Sequence, residues 1–148
     1  MITSKAGIDF VKRHEGFRAT PYRDVAGVMT IGYGHAIQKG EVFGALSSLE
    51  ATAVLGRDLA IAEAAVNKLV TVGLQQTQFD TLVDFIFNLG VNAFTSSTLL
   101  KKINTTAPIA DIQHEMLRWV YAGGVVAQGL VNRRSDEWNL YLNGNYGV

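Results

Sequence analysis

The chain has 148 residues, of which 48% are hydrophobic and 18% are charged, and its mean hydropathy is +0.15. This composition can bury one substantial core and excludes an intrinsically disordered chain. The 13 basic and 13 acidic side chains cancel, so the chain lacks the cationic field of a typical nucleic-acid-binding protein, and we expect no nucleic-acid partner.

The first predicted helix covers residues 5–14. Thr3 and Ser4 are candidate N-caps before it, hydrophobic residues recur inside it at helical spacing, and Gly16 is a candidate C-cap. Glu15 is therefore expected at the carboxyl end of this helix, close to the negative end of the helix dipole.

Strand and helix signals alternate in the next part of the chain. Glycines and β-forming residues in 17–35 predict a small twisted sheet with a turn at 24–27. A capping box at 47–50 then begins a long helix that runs to about residue 69. This helix leaves the β region and is expected to join it to the rest of the molecule.

The remainder of the chain is predicted to be mostly helical. A broad apolar face in the segment 75–90 indicates a core helix that stops at Gly90. Three further helical patterns follow, at 98–104 with Ser97 as N-cap, at 108–121 with Pro108 near the first position, and at 129–142.

These patterns indicate a single domain of the α+β class. The sequence contains no linker, low-complexity tract or internal repeat, and only two prolines interrupt it. We expect residues 1–148 to form one domain, with a β lobe at about 16–44 and a helical lobe made of 1–15 and 45–148.

No metal, cofactor or membrane segment is expected. The chain has no cysteine, and its three histidines, His14, His35 and His114, lack the spacing of a zinc site. The N-terminal segment has no long apolar run after a basic stretch, so we expect neither a secretory signal peptide nor a membrane anchor. Any chemistry is then expected to come from ordinary side chains.

Three polar residues, Glu15, Asp24 and Thr30, are the best candidates for catalysis. The helix dipole disfavours a negative charge on Glu15, as a general acid requires, while the polar turn around Asp24 favours one. Two carboxyl groups in opposed environments are typical of glycoside hydrolysis, in which one protonates the leaving oxygen and the other acts on the opposite face of the sugar. Thr30, on the returning strand, would orient a water molecule.

The spacing of these residues also resembles a known motif. HEGFRATPYRDVAGVMTIGYGH, residues 14–35, is similar to the catalytic segment of phage-type lysozymes (endolysins, glycoside hydrolase family 24), whose motif is a Glu, eight residues, an Asp, five residues and a Thr. Two further segments resemble the same family, DFIFNLGVNAFTSSTLLKKIN at 84–104 and RWVYAGG…GLVNRRSDEW within 118–138. The resemblance covers nearly the whole chain in order.

The resemblance implies a lysozyme-like fold, in which a small N-terminal β lobe and a larger helical lobe are joined by a long helix. It also implies that the domain hydrolyses the β-1,4 bond between N-acetylmuramic acid and N-acetylglucosamine in bacterial peptidoglycan. By the same resemblance, Glu15 is the general acid, Asp24 activates water or stabilises the transition state, and Thr30 assists Asp24. The family is regarded as inverting, which fits carboxyl groups about 6.5 to 9.5 Å apart.

The same resemblance suggests contacts with the glycan. Phe87, Asn88 and Ser97 fall where the family lines its cleft, and Gln113 and Ala36 align with family contacts by position. For Asn88 a second interpretation stays open, in which its amide bonds backbone carbonyls at the end of a helix.

Two arginines and a histidine complete the list of candidates. Arg133 or Arg134 is expected to pair with Glu15 or to contact an anionic group of the substrate, unless both are solvated at the start of the last helix. His35 is expected to be structural and bonded where the two lobes meet, because the two carboxyl groups already fill the acid and base roles.

Other functions are weighed against hydrolysis. A lytic transglycosylase uses one acid and no catalytic water, so the presence of Asp24 and Thr30 argues against it. A silent wall-binding module would be expected to lack Glu15 or Asp24. An exported antibacterial muramidase effector would have the same sequence features as a host-lysis enzyme, and this alternative stays open.

The expected partner is bacterial peptidoglycan, acted on by a monomer. Without a signal or anchor, the chain resembles endolysins that wait in the cytoplasm of the host bacterium. Such enzymes reach the periplasm and cell wall through a separately made membrane pore.

Overall fold

The computed structural model describes residues 1–148 and contains seven α-helices and five short strands. In chain order these are α1 (Lys5–Glu15), β1 (Arg18–Arg23), β2 (Met29–Gly32), β3 (His35–Ala36), α2 (Ser48–Leu69), α3 (Gln76–Leu89), α4 (Val91–Thr95), α5 (Thr98–Asn104), α6 (Ile109–Leu117), β4 (Tyr121–Ala122), β5 (Val125–Val126) and α7 (Gln128–Asn143). None of these helices combines the length and the apolar character needed to cross a membrane.

The first three strands form an antiparallel sheet in the order β1-β2-β3. The predicted turn at 24–27 is confirmed: the Gly27 N–H donates to the Asp24 carbonyl, and the Asp24 N–H donates to the Val28 carbonyl, both at 2.9 Å. β2 packs on α2 at Gly32, where a Cβ would lie 3.2 Å from the Ala51 Cβ. The absence of a side chain at Gly32 thus lets the sheet approach α2 closely.

Side-chain caps fix where the first two helices begin. The Ser4 hydroxyl accepts a hydrogen bond from the Gly7 N–H, and it is therefore Ser4 rather than Thr3 that caps α1. At α2, Ser47 and Glu50 exchange hydrogen bonds in the predicted capping box. Such caps satisfy N–H groups that have no partner within the helix.

α3 is the central helix of the fold. It packs against α1, α2, α4 and α7, and most of its side chains from Phe79 to Ile86 are buried. The helices share one cluster of 19 buried hydrophobic residues. Removing this apolar surface from water is the main stabilising contribution to the fold, at about 25 cal/mol per Å².

The predicted helix at 108–121 is wrong at its end. α6 ends at Leu117, and the chain then forms the hairpin β4–β5 around Gly123 and Gly124. Both glycines have positive φ, 58° and 81°, as a two-residue hairpin turn requires. Tyr121 lies on this hairpin and is 64% exposed, so it does not belong to the core.

Candidate active site

Glu15 lies at the last position of α1 and is held from two sides. Its Oε2 accepts a hydrogen bond of 2.6 Å from Arg133 Nη1 on α7, and its side chain is 18% exposed. On the other side lies Gly34, in the turn between β2 and β3, where a Cβ would collide with the Glu15 carboxyl group. The carboxyl group is therefore fixed between α7 and the sheet.

Asp24 lies in the turn between β1 and β2. Its Oδ1 accepts hydrogen bonds from the Ala26 N–H at 2.9 Å and the Val28 N–H at 2.8 Å. Oδ2 has no hydrogen-bond partner in the protein. The turn therefore fixes the carboxylate through one oxygen and leaves the other available to water or substrate.

Thr30 lies on β2 and is buried. Its hydroxyl donates a hydrogen bond of 2.9 Å to the Val28 carbonyl. Because Val28 also donates its N–H to Asp24, this one residue connects Thr30 and Asp24. The structure thus brings these two side chains together on one hairpin, and the next turn of the same sheet contacts Glu15.

A pocket of about 440 Å³ begins beside this contact. Gly34 lines it together with Ala36 and Phe87, two of the predicted glycan-binding residues. A larger polar groove of about 520 Å³ runs between α1 and α7, and it is lined by none of the predicted catalytic or glycan-binding residues. None of Glu15, Asp24 and Thr30 lines the smaller pocket itself, but Glu15 contacts its wall at Gly34. We therefore assign the candidate glycan site to the smaller pocket.

The other three predicted glycan contacts do not line this pocket. Ser97 is buried, and its hydroxyl accepts from the Leu100 N–H and donates to the Phe94 carbonyl, so it serves as the N-cap of α5. Gln113 lines a separate surface depression beside α6. Asn88 is partly buried, and its Oδ1 accepts a hydrogen bond of 2.7 Å from Arg134. Its amide nitrogen does not donate to a backbone carbonyl, so the second interpretation of Asn88 is not what the structure has.

Of the two arginines, Arg133 is the one that pairs with Glu15. Its Nε and Nη2 bind the two oxygens of Asp84 on α3, at 3.0 and 2.7 Å. Burial alone would raise the pKa of Asp84, but the charge of Arg133 and the hydrogen bonds at Asp84 together outweigh burial and hold this pKa below its usual value. The pKa of Arg133 is raised despite burial, chiefly by the charge of Asp84 and the hydrogen bonds that Arg133 donates to it, with a further contribution from Glu15.

Arg134 pairs with Glu137 on the same helix, and both side chains are fully buried. Arg134 Nη2 donates to Glu137 Oε1 at 2.8 Å, while Nε lies 2.7 Å from Oε2 without the alignment of a hydrogen bond. Burial raises the pKa of Glu137 well above its usual value, although Arg134 acts in the opposite direction.

Sequence reasoning did not identify Asp84 and Glu137. A signal for Asp84 was present, because an acidic residue interrupts the apolar run LVDFIF in the middle of the core helix. A buried carboxylate is stable only when it is paired, so its position indicates a buried cation nearby.

His35 lines the pocket and, as predicted, is hydrogen-bonded where the sheet meets the helical lobe. Its Nδ1 lies 2.7 Å from an Asp58 oxygen on α2, and its Nε2 lies 2.9 Å from a Glu41 oxygen in the loop after β3. Burial lowers the pKa of His35, but the hydrogen bonds with Glu41 and Asp58 outweigh burial and raise it. The histidine therefore joins the sheet, the loop and α2.

Comparisons with known proteins were made against families, sequences and solved structures. The phage lysozyme family matches residues 12–137. The SAR-endolysin of Escherichia phage Mu is 43% identical over 129 residues, which is 85% of this chain and 74% of that protein. The endolysin of Bacillus phage B103 is 38% identical over 97% of this chain, but the match spans only 55% of that longer protein.

A solved structure extends the likeness to the whole fold. The endolysin from Escherichia coli O157:H7 phage FAHEc1 superimposes with a TM-score of 0.90 at 33% identity. The match covers 100% of this chain and 98% of that one. The expected lysozyme-like α+β fold is therefore confirmed.

Proposed function

The chain belongs to the phage lysozyme family, and from this premise we propose that Glu15, Asp24 and Thr30 carry out its hydrolysis of peptidoglycan. The protein is a glycoside hydrolase, a muramidase of the kind that phages use for host lysis. We also propose the role of each residue, an inverting stereochemical course and a route by which the enzyme reaches the cell wall.

Glu15 is the general acid of the proposed reaction. It gives its proton to the glycosidic oxygen as the bond between N-acetylmuramic acid and N-acetylglucosamine breaks. The proposal is supported by the ion pair with Arg133, which stabilises the negative charge that remains on Glu15 after the proton has left. This contact is the single observation that carries the assignment.

Asp24 activates the attacking water, and Thr30 positions it. Asp24 has one oxygen fixed by the turn and one oxygen without a protein partner, as a base that binds water requires. The Thr30 hydroxyl donates to Val28 and keeps its lone pairs to accept a hydrogen bond from that water. Attack by water on the face opposite to Glu15 gives an inverting hydrolysis.

The pocket beside Gly34 holds part of the glycan. Phe87 and Ala36 supply an apolar wall. Asn88 lies outside this pocket, and its amide nitrogen, which has no partner in the protein, donates to an N-acetyl carbonyl of a glycan that extends past the pocket. For Ser97 and Gln113 the proposal is weaker, because the Ser97 hydroxyl is occupied by its cap and Gln113 lies beside another depression.

The domain works as a monomer inside the host cell before lysis, and its access to the wall depends on a separate membrane pore. The relatives divide on this route, because the phage Mu protein is named a SAR-endolysin, which indicates release from a membrane, whereas the phage B103 protein is named an endolysin. Expression of the chain with and without a membrane-permeabilising agent tests it, because lysis only after permeabilisation is the expected result. Lysis without the agent would contradict the need for a separate pore.

The proposed reaction is tested by mass spectrometry of the products formed from purified peptidoglycan. Hydrolysis leaves a reducing N-acetylmuramic acid end, whereas a lytic transglycosylase leaves a 1,6-anhydro end. Glu15→Gln is expected to remove activity by a factor of at least about 10² while the protein stays folded, because the amide cannot donate the proton. An active Glu15→Gln variant would contradict the role of Glu15, and anhydro products would contradict hydrolysis.

A further inference from the structure

Asp84 is buried in the core helix, does not touch the candidate pocket, and contacts the arginine that binds Glu15. Arg133 uses Nε and Nη2 for the two Asp84 oxygens and Nη1 for Glu15 Oε2. The Asp84 side chain has no solvent exposure, and that of Arg133 is 7% exposed. One planar guanidinium therefore joins Asp84 to the proposed general acid.

The geometry of this contact fixes the direction of Nη1. Two parallel hydrogen bonds from a guanidinium to a carboxylate set both the position and the plane of the arginine side chain. Asp84 lies on α3, which packs against both α1 and α7, so its carboxylate is a rigid reference point. Without it, Arg133 could rotate about its side-chain bonds, and Nη1 would not be held on Glu15.

Charged side chains surround this contact. The cluster contains two cations, Arg133 and Arg134, and three carboxyl groups, Glu15, Asp84 and Glu137. The other titratable groups near it are His14 on α1, whose pKa is lowered chiefly by burial, and the exposed Asp136 on α7.

We propose that Asp84 is a positioning residue for the hydrolysis, because its carboxylate holds Arg133 Nη1 on Glu15, where the arginine stabilises the charge that forms on Glu15 as its proton leaves. This inference rests on the proposed role of Glu15 as general acid. When the residue at position 84 cannot accept both hydrogen bonds, Arg133 is no longer held, and the charge that forms on Glu15 loses its partner.

The test is the steady-state hydrolysis of soluble peptidoglycan fragments by Asp84→Asn. We expect kcat to fall by at least about tenfold while KM changes less than about twofold, because the orientation of Arg133 is lost and the substrate contacts are untouched. A wild-type kcat in a folded Asp84→Asn variant would overturn the proposal.

Asp80→Asn is the matched control. Asp80 lies one turn earlier on the same helix and is also buried, but it binds Ser4, Gln76 and Tyr146 at the other end of α1. Its replacement removes a buried carboxylate without touching Arg133. We expect lower stability with unchanged kcat and KM, and an equal loss of kcat in both variants would contradict a specific role for Asp84.

Asp84→Glu provides a second variant should the asparagine variant fail to fold. It keeps the negative charge but displaces the carboxylate, so kcat should fall while KM stays within about twofold of the wild-type value. Wild-type kcat in this variant would contradict the positioning effect. Hydrolysis by the wild type and its loss in Glu15→Gln are measured first, so that a failure of the proposed function is recognised separately from a failure of this inference.

Discussion

The position of Glu15 is fixed by an ion pair with Arg133 and by the absence of a side chain at Gly34. Arg133 binds one carboxyl oxygen, while Gly34 leaves the volume in which the carboxyl group lies. Gly34 also has a φ of +74°, which an L side chain rarely adopts. At the residue scale, the position of the proposed acid therefore depends on a glycine that takes no part in the chemistry.

Gly34→Ala is expected to lower activity far more than stability. The added methyl group would push the Glu15 carboxyl group aside, and a displacement of about 1 Å can cost 10²-fold in rate. The positive φ adds a strain of about 1–2 kcal/mol. Activity on peptidoglycan and the free energy of unfolding would both be measured.

Gly40→Ala is its control, because Gly40 has a φ of +87° and open space around the position of a Cβ. It should show a similar loss of stability and nearly full activity. Equal activity losses in the two variants would mean that backbone strain, rather than the collision with Glu15, is responsible.

The sequence alone could indicate the spacing of residues within one segment, but it could not indicate contacts between separate elements. The spacing of Glu15, Asp24 and Thr30 follows from one short segment, because a helix end and a hairpin are local structures. The choice between Arg133 and Arg134 depends on how α7 packs against α1, which no local pattern contains. The same holds for Gly34, whose contact with Glu15 joins two separate elements.

At the scale of elements, local signals predicted the starts of helices better than their ends. Ser4, Ser47 and Ser97 each cap a helix, because the cap is a contact within four residues. The end of α6 was predicted wrongly because apolar spacing continued into the hairpin β4–β5. The pair Gly123-Gly124 was the local signal for that hairpin.

Ser97→Ala separates the two roles suggested for this residue. Loss of the cap of α5 is expected to lower the free energy of unfolding by about 1 kcal/mol and to leave KM for peptidoglycan fragments unchanged. The neighbouring Ser96→Ala is the control, since its exposed hydroxyl donates only to the Asn92 carbonyl. A higher KM for Ser97→Ala alone would instead support the predicted glycan contact.

At the scale of the whole molecule, buried or partly buried polar contacts join separate elements. The ion pair of Glu15 and Arg133 joins α1 to α7. The contacts of His35 with Asp58 and Glu41 join the sheet to α2 and to the loop after β3. The sequence indicated a structural histidine but not its partners, because Asp58 lies 23 residues away on α2. His35 and Asp58 line the pocket beside Gly34, and Glu15 contacts Gly34 itself, so the same interactions stabilise the fold and shape the site.

The contact of His35 with α2 makes the stability of the molecule depend on pH. Because the pKa of His35 is raised in the folded state, its contribution is fully present below the pKa of the unfolded chain and is lost as pH rises through the folded value. Asp58→Asn is therefore expected to lower the free energy of unfolding by about 1.5–3 kcal/mol at acidic pH, the range for a charge-assisted hydrogen bond. The difference from the wild type should shrink at alkaline pH.

Urea unfolding of both proteins at about pH 5.5 and 8.5, on either side of the usual histidine pKa, measures this difference. Asp136→Asn is the control, because Asp136 lies 3.4 Å from His14, whose pKa is lowered by burial, and its side chain is 60% exposed. A carboxylate in that position adds little stability at either pH. If Asp58→Asn destabilised the protein equally at both pH values, the charge on His35 would not be what joins the sheet to α2.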